Sequence, residues 1–173
     1  FDLLSGKELW RRWYKVDIKR NHGRSRTIPA VNDDVVVTLG PKAHVMCVNR
    51  ADGALLWVSD LVDEYGTTVP QWYAGQCPLI DGNKVILAPA GPKDLLIALD
   101  AKTGAKIWSC PNEDEMTMSH SSIIKMNLLG AELYVYAARG GIVGVSMDGK
   151  QRFVTTKWSP SVVAPSPVAV SDR

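Results

Sequence analysis

Ala98-Leu99-Asp100-Ala101-Lys102-Thr103-Gly104-Ala105-Lys106-Ile107-Trp108 reads as two short strands joined by a tight turn. Leu96, Ala98 and Leu99 lead in, Asp100 to Gly104 turn, and Ile107 and Trp108 lead out. Gly104 can take the positive φ that such a turn needs, and the side-chain oxygens of Asp100 and Thr103 can bond its backbone. The stretch recurs. Asn49 to Trp57 (NRADGALLW) and Asp2 to Trp10 (DLLSGKELW) keep an acid or amide, a glycine (Gly53, Gly6) and a tryptophan at the same spacing. Val145 to Phe153 (VSMDGKQRF) is a decayed copy, one residue short before Gly149 and with Phe153 in place of the tryptophan. The large aromatics at positions 10, 57, 108 and 153 give a period of about 48 residues, the range of propeller blades and not of helical repeats.

The segments between the aromatics repeat too. Ile28-Pro29-Ala30-Val31, a turn at Asn32-Asp33-Asp34 and Val35 to Leu39 match Cys77 to Ile80, a turn at Asp81-Gly82-Asn83 and Val85 to Ala88. Ser122-Ile123-Ile124, a turn ending at Gly130 and Leu133 to Tyr136 follow the same plan. Each is a β-branched run, a turn rich in Asp, Asn or Gly, and a second β-branched run, the pattern of a hairpin. Four strands per unit follow, expected near 28–32, 35–39, 44–49 and 54–59, near 77–81, 84–88, 94–100 and 105–109, and near 121–126, 132–137, 141–146 and 150–156. No window sustains a 3.6-residue apolar period, so little helix is expected. The predicted fold class is all-β, a β-propeller of four-stranded antiparallel blades. A partial blade is expected over 1–15, blades over about 25–60, 74–110 and 119–157, and a partial blade over 164–173. In the 173 residues there is room for about three and a half such units, fewer than the roughly four to eight of a closed ring. The chain therefore reads as a piece of a longer one whose remaining blades complete the ring, with pairing of two copies as the alternative.

A net charge of +2, scattered along the chain, gives no reason to expect nucleic acid, and no apolar run is long enough for a transmembrane helix. The basic run Lys15 to Arg26 reads first as a solvated loop between units. Cys47, Cys77 and Cys110 form neither a C-x-x-C nor an adjacent pair and read as small buried hydrophobes. Asn112 to Glu115 and Asp63 to Tyr65 read as solvated loops, without the spaced oxygen ligands of a calcium loop. No metal site is expected. Trp10, Trp57 and Trp108, one per unit, read as wedges that dock on the next blade.

With Ala98-x-Asp100-x-x-Thr103-Gly104-x-x-x-Trp108 complete, the chain resembles the pyrroloquinoline quinone (PQQ) repeat family, whose tryptophan-docking motif has this pattern. The copy ending at Trp57 departs from it at the Ala, Asp and Thr positions. Val69 to Trp72 (VPQW), Gly75 to Gly82 (GQCPLIDG) and Met118 to Ser122 (MSHSS) resemble a bacterial branch of these propellers. The resemblance implies a ring of about seven or eight blades and a periplasmic or other extracytoplasmic location. It points to two kinds of member: quinoprotein dehydrogenases of alcohols and sugars, which use PQQ with calcium, and a non-enzymatic outer-membrane assembly lipoprotein that binds no quinone. The adjacent cysteine pair that forms the quinone platform in many alcohol-oxidising members does not occur here. The expected function is therefore a non-catalytic binding or scaffold module of the bacterial cell envelope, without a cofactor, offering blade loops to protein or glycan partners. A PQQ- and calcium-dependent dehydrogenase is the alternative.

Candidate site residues come from the repeat. Aligning Pro29, Pro78, Ser122 and Pro167 makes Thr27, Gln76, His120 and Pro165 equivalent, just ahead of each first strand, where propellers gather their channel rim. Arg24, Arg26, Trp72, Tyr73, Ser119 and Ser121 lie nearby in sequence. Together they predict a polar, partly cationic rim with aromatic rings, suited to a carboxylated or sugar-like ligand. His120 is the candidate catalytic residue. It has no second histidine or acid at ligand spacing in its segment, so it reads first as a histidine bonding neighbouring loops.

Overall fold

The computed structural model describes residues 1–19, 26–128 and 130–170. It contains three four-stranded antiparallel sheets. The first comprises β1 (Ala30–Val31), β2 (Val35–Leu39), β3 (His44–Asn49) and β4 (Leu55–Asp60). The second comprises β5 (Leu79–Asp81), β6 (Lys84–Leu87), β7 (Asp94–Asp100) and β8 (Lys106–Pro111). The third comprises β9 (Ile124–Leu128), β10 (Ala131–Ala138), β11 (Gly141–Ser146) and β12 (Gln151–Thr155). Every strand pairs with its sequence neighbour, so each sheet is a simple meander. The first strand begins two or three residues later than the sequence suggests in every sheet.

The one helix among the described residues, α1 (Leu61–Tyr65), falls where a solvated loop is expected. A single turn is too short to show a period, but its caps are legible. Asp60 Oδ1 accepts from Val62 N and Asp63 N, Gly66 ends the turn at φ 69°, and Glu64 reaches back to accept from Asp60 N and Ser59 Oγ. Asp63 and Glu64 remain exposed as expected, while Leu61 is fully buried.

The sheets share one core. Val35, Val37 and Leu39 of the first, Val85, Ile86 and Leu95 to Leu99 of the second, and Tyr134, Tyr136, Val143 and Val145 of the third belong to a single buried cluster. The repeated turn supplies the joint between them. A Cβ on Gly53 would lie 2.6 Å from the Trp10 indole, one on Gly104 2.9 Å from that of Trp57, and one on Gly149 2.8 Å from that of Trp108. Each tryptophan is thus seated flat on the glycine of the following copy, and a side chain there would displace it. Trp10 Nε1 donates to Arg50 O at 2.9 Å and Trp57 Nε1 to Ala101 O at 3.0 Å. A β-bulge precedes the aromatic at the same place in every sheet, with Leu56, Ile107 and Arg152 as the extra residues. A bulge re-aims the following side chain; Trp57 and Trp108 reach the next unit, whereas Phe153 lies over Gly144 of its own sheet.

Candidate functional site

The residues ahead of the first strands form a relay across the sheets. Ile28 N donates to Cys77 Sγ at 3.2 Å, Cys77 N to Ser122 Oγ at 2.9 Å, and Ser122 N to Ser166 Oγ at 3.0 Å. These links make Ile28, Cys77, Ser122 and Ser166 equivalent. In the third unit the alignment drawn from sequence therefore shifts by one residue: Ser121 stands level with Gln76 and Thr27, and His120 with Gly75 and Arg26. The third unit has isoleucine where the others have proline, and its run of small residues gave the register no landmark.

In each unit a polar side chain of this segment bonds the backbone at or next to the end of the second strand. Thr27 Oγ1 donates to Leu39 O at 2.6 Å. Gln76, fully buried, donates through Nε2 to Ala88 O at 3.1 Å and accepts from Ala88 N at 2.8 Å. In the third unit Ser119 Oγ donates to Ala137 O at 2.6 Å, and Tyr136 Oη accepts from Ser119 N at 2.9 Å. Ser121 is fully buried, and its backbone N donates to Ser119 Oγ at 3.1 Å. Gln76 and Ser121, expected as rim residues that meet a ligand, are both fully buried. Arg24 lies outside the described residues, while Arg26 is exposed.

His120 and Trp72 face each other across adjoining units, stacked with ring centroids 6.3 Å apart and planes 29° from parallel. His120 N donates to Val163 O at 2.9 Å. Burial, aided by the Arg26 charge, holds the His120 pKa below the usual histidine value. Trp72 and Tyr73 have φ of 69° and 73°, a left-handed conformation that costs a bulky residue about 1–3 kcal/mol. Tyr73 Oη accepts from Lys19 N at 2.8 Å, which ties this loop to the segment preceding the first sheet. The result is an indole held at the surface, 38% exposed, beside a fixed histidine.

The tertiary structure adds cations that the sequence reading did not select. Arg139 joins His120 and Trp72 in one cleft, and Lys19 and Lys42 line another on the far side of the same loop. A signal was present: the turn between the second and third strands carries a basic residue in every unit, Lys42, Lys93 and Arg139.

The PQQ-repeat fold implies a quinone held with calcium, which calls for hard oxygen donors close together and cations around three carboxylates. Among the described residues no three His, Cys, Asp or Glu side chains lie close enough to hold a metal ion. The polar side chains of Gln76 and Ser119 already bond backbone. The donor set among the described residues does not fit the group. Cys47, Cys77 and Cys110 are all free thiols.

The family described as outer membrane protein assembly factor BamB matches residues 1–164. No curated protein sequence is similar enough to count as a match. Among solved structures, BamB from Moraxella catarrhalis superposes with a TM-score of 0.59 at 17% identity, covering 80% of this chain and 41% of that one. Quinohemoprotein alcohol dehydrogenase ADHIIG from Pseudomonas putida HK5 gives 0.55 at 22% identity, covering 80% of this chain and 21% of that one. The computationally designed Ika4 protein gives 0.53 at 11% identity, covering 93% of this chain and 85% of that one. At these identities the likeness is one of fold, and the chain spans less than half the length of the two natural proteins.

Proposed function

As the chain belongs to the PQQ-repeat β-propeller family described as outer membrane protein assembly factor BamB, we propose that it acts as a non-catalytic binding module of the bacterial cell envelope. It presents its rim loops to a protein or glycan partner, and 1–15 and 164–173 are partial blades flanking blades at about 25–60, 74–110 and 119–157. The observation that carries the reading is the loop at Trp72: two successive aromatic residues are kept in a left-handed conformation, and this holds a large ring at the surface. Strain kept in a surface loop is a mark of function. Among the described residues no group of three His, Cys, Asp or Glu side chains gathers there.

A titration of the full chain with PQQ, with and without calcium, tests this by quenching of tryptophan fluorescence and then by dye reduction with alcohols and sugars. No saturable binding at high micromolar quinone is expected. Saturable, calcium-dependent binding with dye reduction overturns the module reading in favour of a dehydrogenase.

A further inference from the structure

The loop from Val69 to Tyr73 divides two clefts, of about 390 Å³ and 430 Å³, and Trp72 lines both. Arg139 stands in the first, and Lys19 and Lys42 in the second, while neither is lined by an Asp or a Glu. Some of the chain's other cations are matched: Lys102 pairs with Asp34, Lys125 with Asp81 and Glu132, and Lys150 with Asp148. Among the described residues no carboxylate pairs with Arg139, Lys19 or Lys42. Unmatched positive charge therefore flanks an exposed indole on two sides. The indole cannot easily withdraw, because His120 stacks against it and Tyr73 is anchored by Lys19 N.

We propose that this loop receives an extended acidic segment of a protein partner, with one carboxylate beside Arg139, another beside Lys42 and Lys19, and the backbone between them crossing Trp72. The proposal rests on the binding-module reading and names the chemistry of its partner. Charge complementarity selects an anion, and the division of the charge selects its shape. A compact anion fills one cleft and leaves the cations of the other bare, whereas an extended chain sets a side chain on the same side about every 7 Å and offers acids to both. Rim charges of this kind steer association and set its salt dependence.

The test is fluorescence anisotropy of a labelled Glu-Leu-Glu-Leu-Glu peptide on the full chain, beside the Gln-Leu-Gln-Leu-Gln and Lys-Leu-Lys-Leu-Lys peptides and polygalacturonate. The acidic peptide is expected to bind best and to weaken as salt rises from about 50 to 300 mM. R139E and K42E should each weaken it by about three- to tenfold, with unchanged thermal melting because neither side chain forms an ion pair. Equal binding of the three peptides, no binding, tighter binding of polygalacturonate, or indifference to both charge reversals overturns the proposal. These outcomes leave the binding-module reading standing, since that reading fails only on the quinone titration.

Discussion

Trp57 and Trp108 hold the same position in successive copies of the repeat, yet their indole N–H groups meet different fates. Trp57 Nε1 donates to Ala101 O, three residues before Gly104. The turn under Trp108 is one residue shorter: Gly149 N bonds Ser146 O, whereas Gly104 N bonds Asp100 O. The carbonyl that should receive Trp108 Nε1 is displaced, Met147 O accepts from Lys84 Nζ instead, and Trp108 Nε1 is buried without a partner. An unpaired buried donor costs about 1–3 kcal/mol. Trp57→Phe should therefore destabilise the chain by at least about 1 kcal/mol more than Trp108→Phe, which removes an unsatisfied group along with its packing. Urea midpoints of the two variants check this, and equal losses would contradict the account. The shortened turn was visible as a missing residue before Gly149. That it strands a donor depends on where a neighbouring carbonyl lies, which one copy of the motif does not reveal.

At the scale of the element, the hairpin β5–β6 is clamped to β9 and β10 through Asp81. Tyr134 Oη donates to Asp81 Oδ2 at 2.6 Å, and Lys125 Nζ lies 3.2 Å from Oδ1. The Tyr134 hydrogen bond, with smaller help from Lys125, holds the Asp81 carboxyl below its ordinary value near 3.8. A depressed carboxylate pKa contributes stability above the unfolded value, and that contribution is lost as pH falls through the folded one. Asp81→Asn should cost about 1–2 kcal/mol at pH 7, with a gap that closes as pH falls below about 4. Denaturation midpoints of both proteins across that range check the sign, and a gap that widens in acid would refute it. Turn residues made Asp81 legible as a hairpin apex, but its partners stand 44 and 53 positions away. Strand positions were readable because alternation and turn chemistry are local, while the one-turn helix at Leu61 is too short to carry a period.

For the whole molecule, one core spans three sheets, so protection of any core group reports on the assembly. Cys47 and Cys110 are buried, and desolvation pushes each thiol up to about 11. Cys77, half-buried in the relay, is nearer the surface. Since the thiolate is the reactive form, iodoacetamide at pH 8 should label Cys77 first, with Cys47 and Cys110 following together only under unfolding conditions. Peptide mass spectrometry over a time course checks the order. Early labelling of Cys47 alone would mean that the first sheet opens independently of the second.

The sequence by itself determined the blades, their four strands and the identity of the docking aromatics. A glycine that must turn with positive φ and a ring four residues later are local requirements, repeated three times over. It also made plain that Gln76, His120 and Ser121 precede the first strands. Only the tertiary structure decided which of them face outward. Gln76 turns inward because Ala88 offers it two bonds, Ser121 is buried with its backbone N on Ser119 Oγ, and His120 stacks against Trp72. The meeting of Trp72 with Arg139 on one side and Lys42 on the other joins three separate units of the repeat. Such a meeting depends on how blades stack, which no pattern within a single blade encodes.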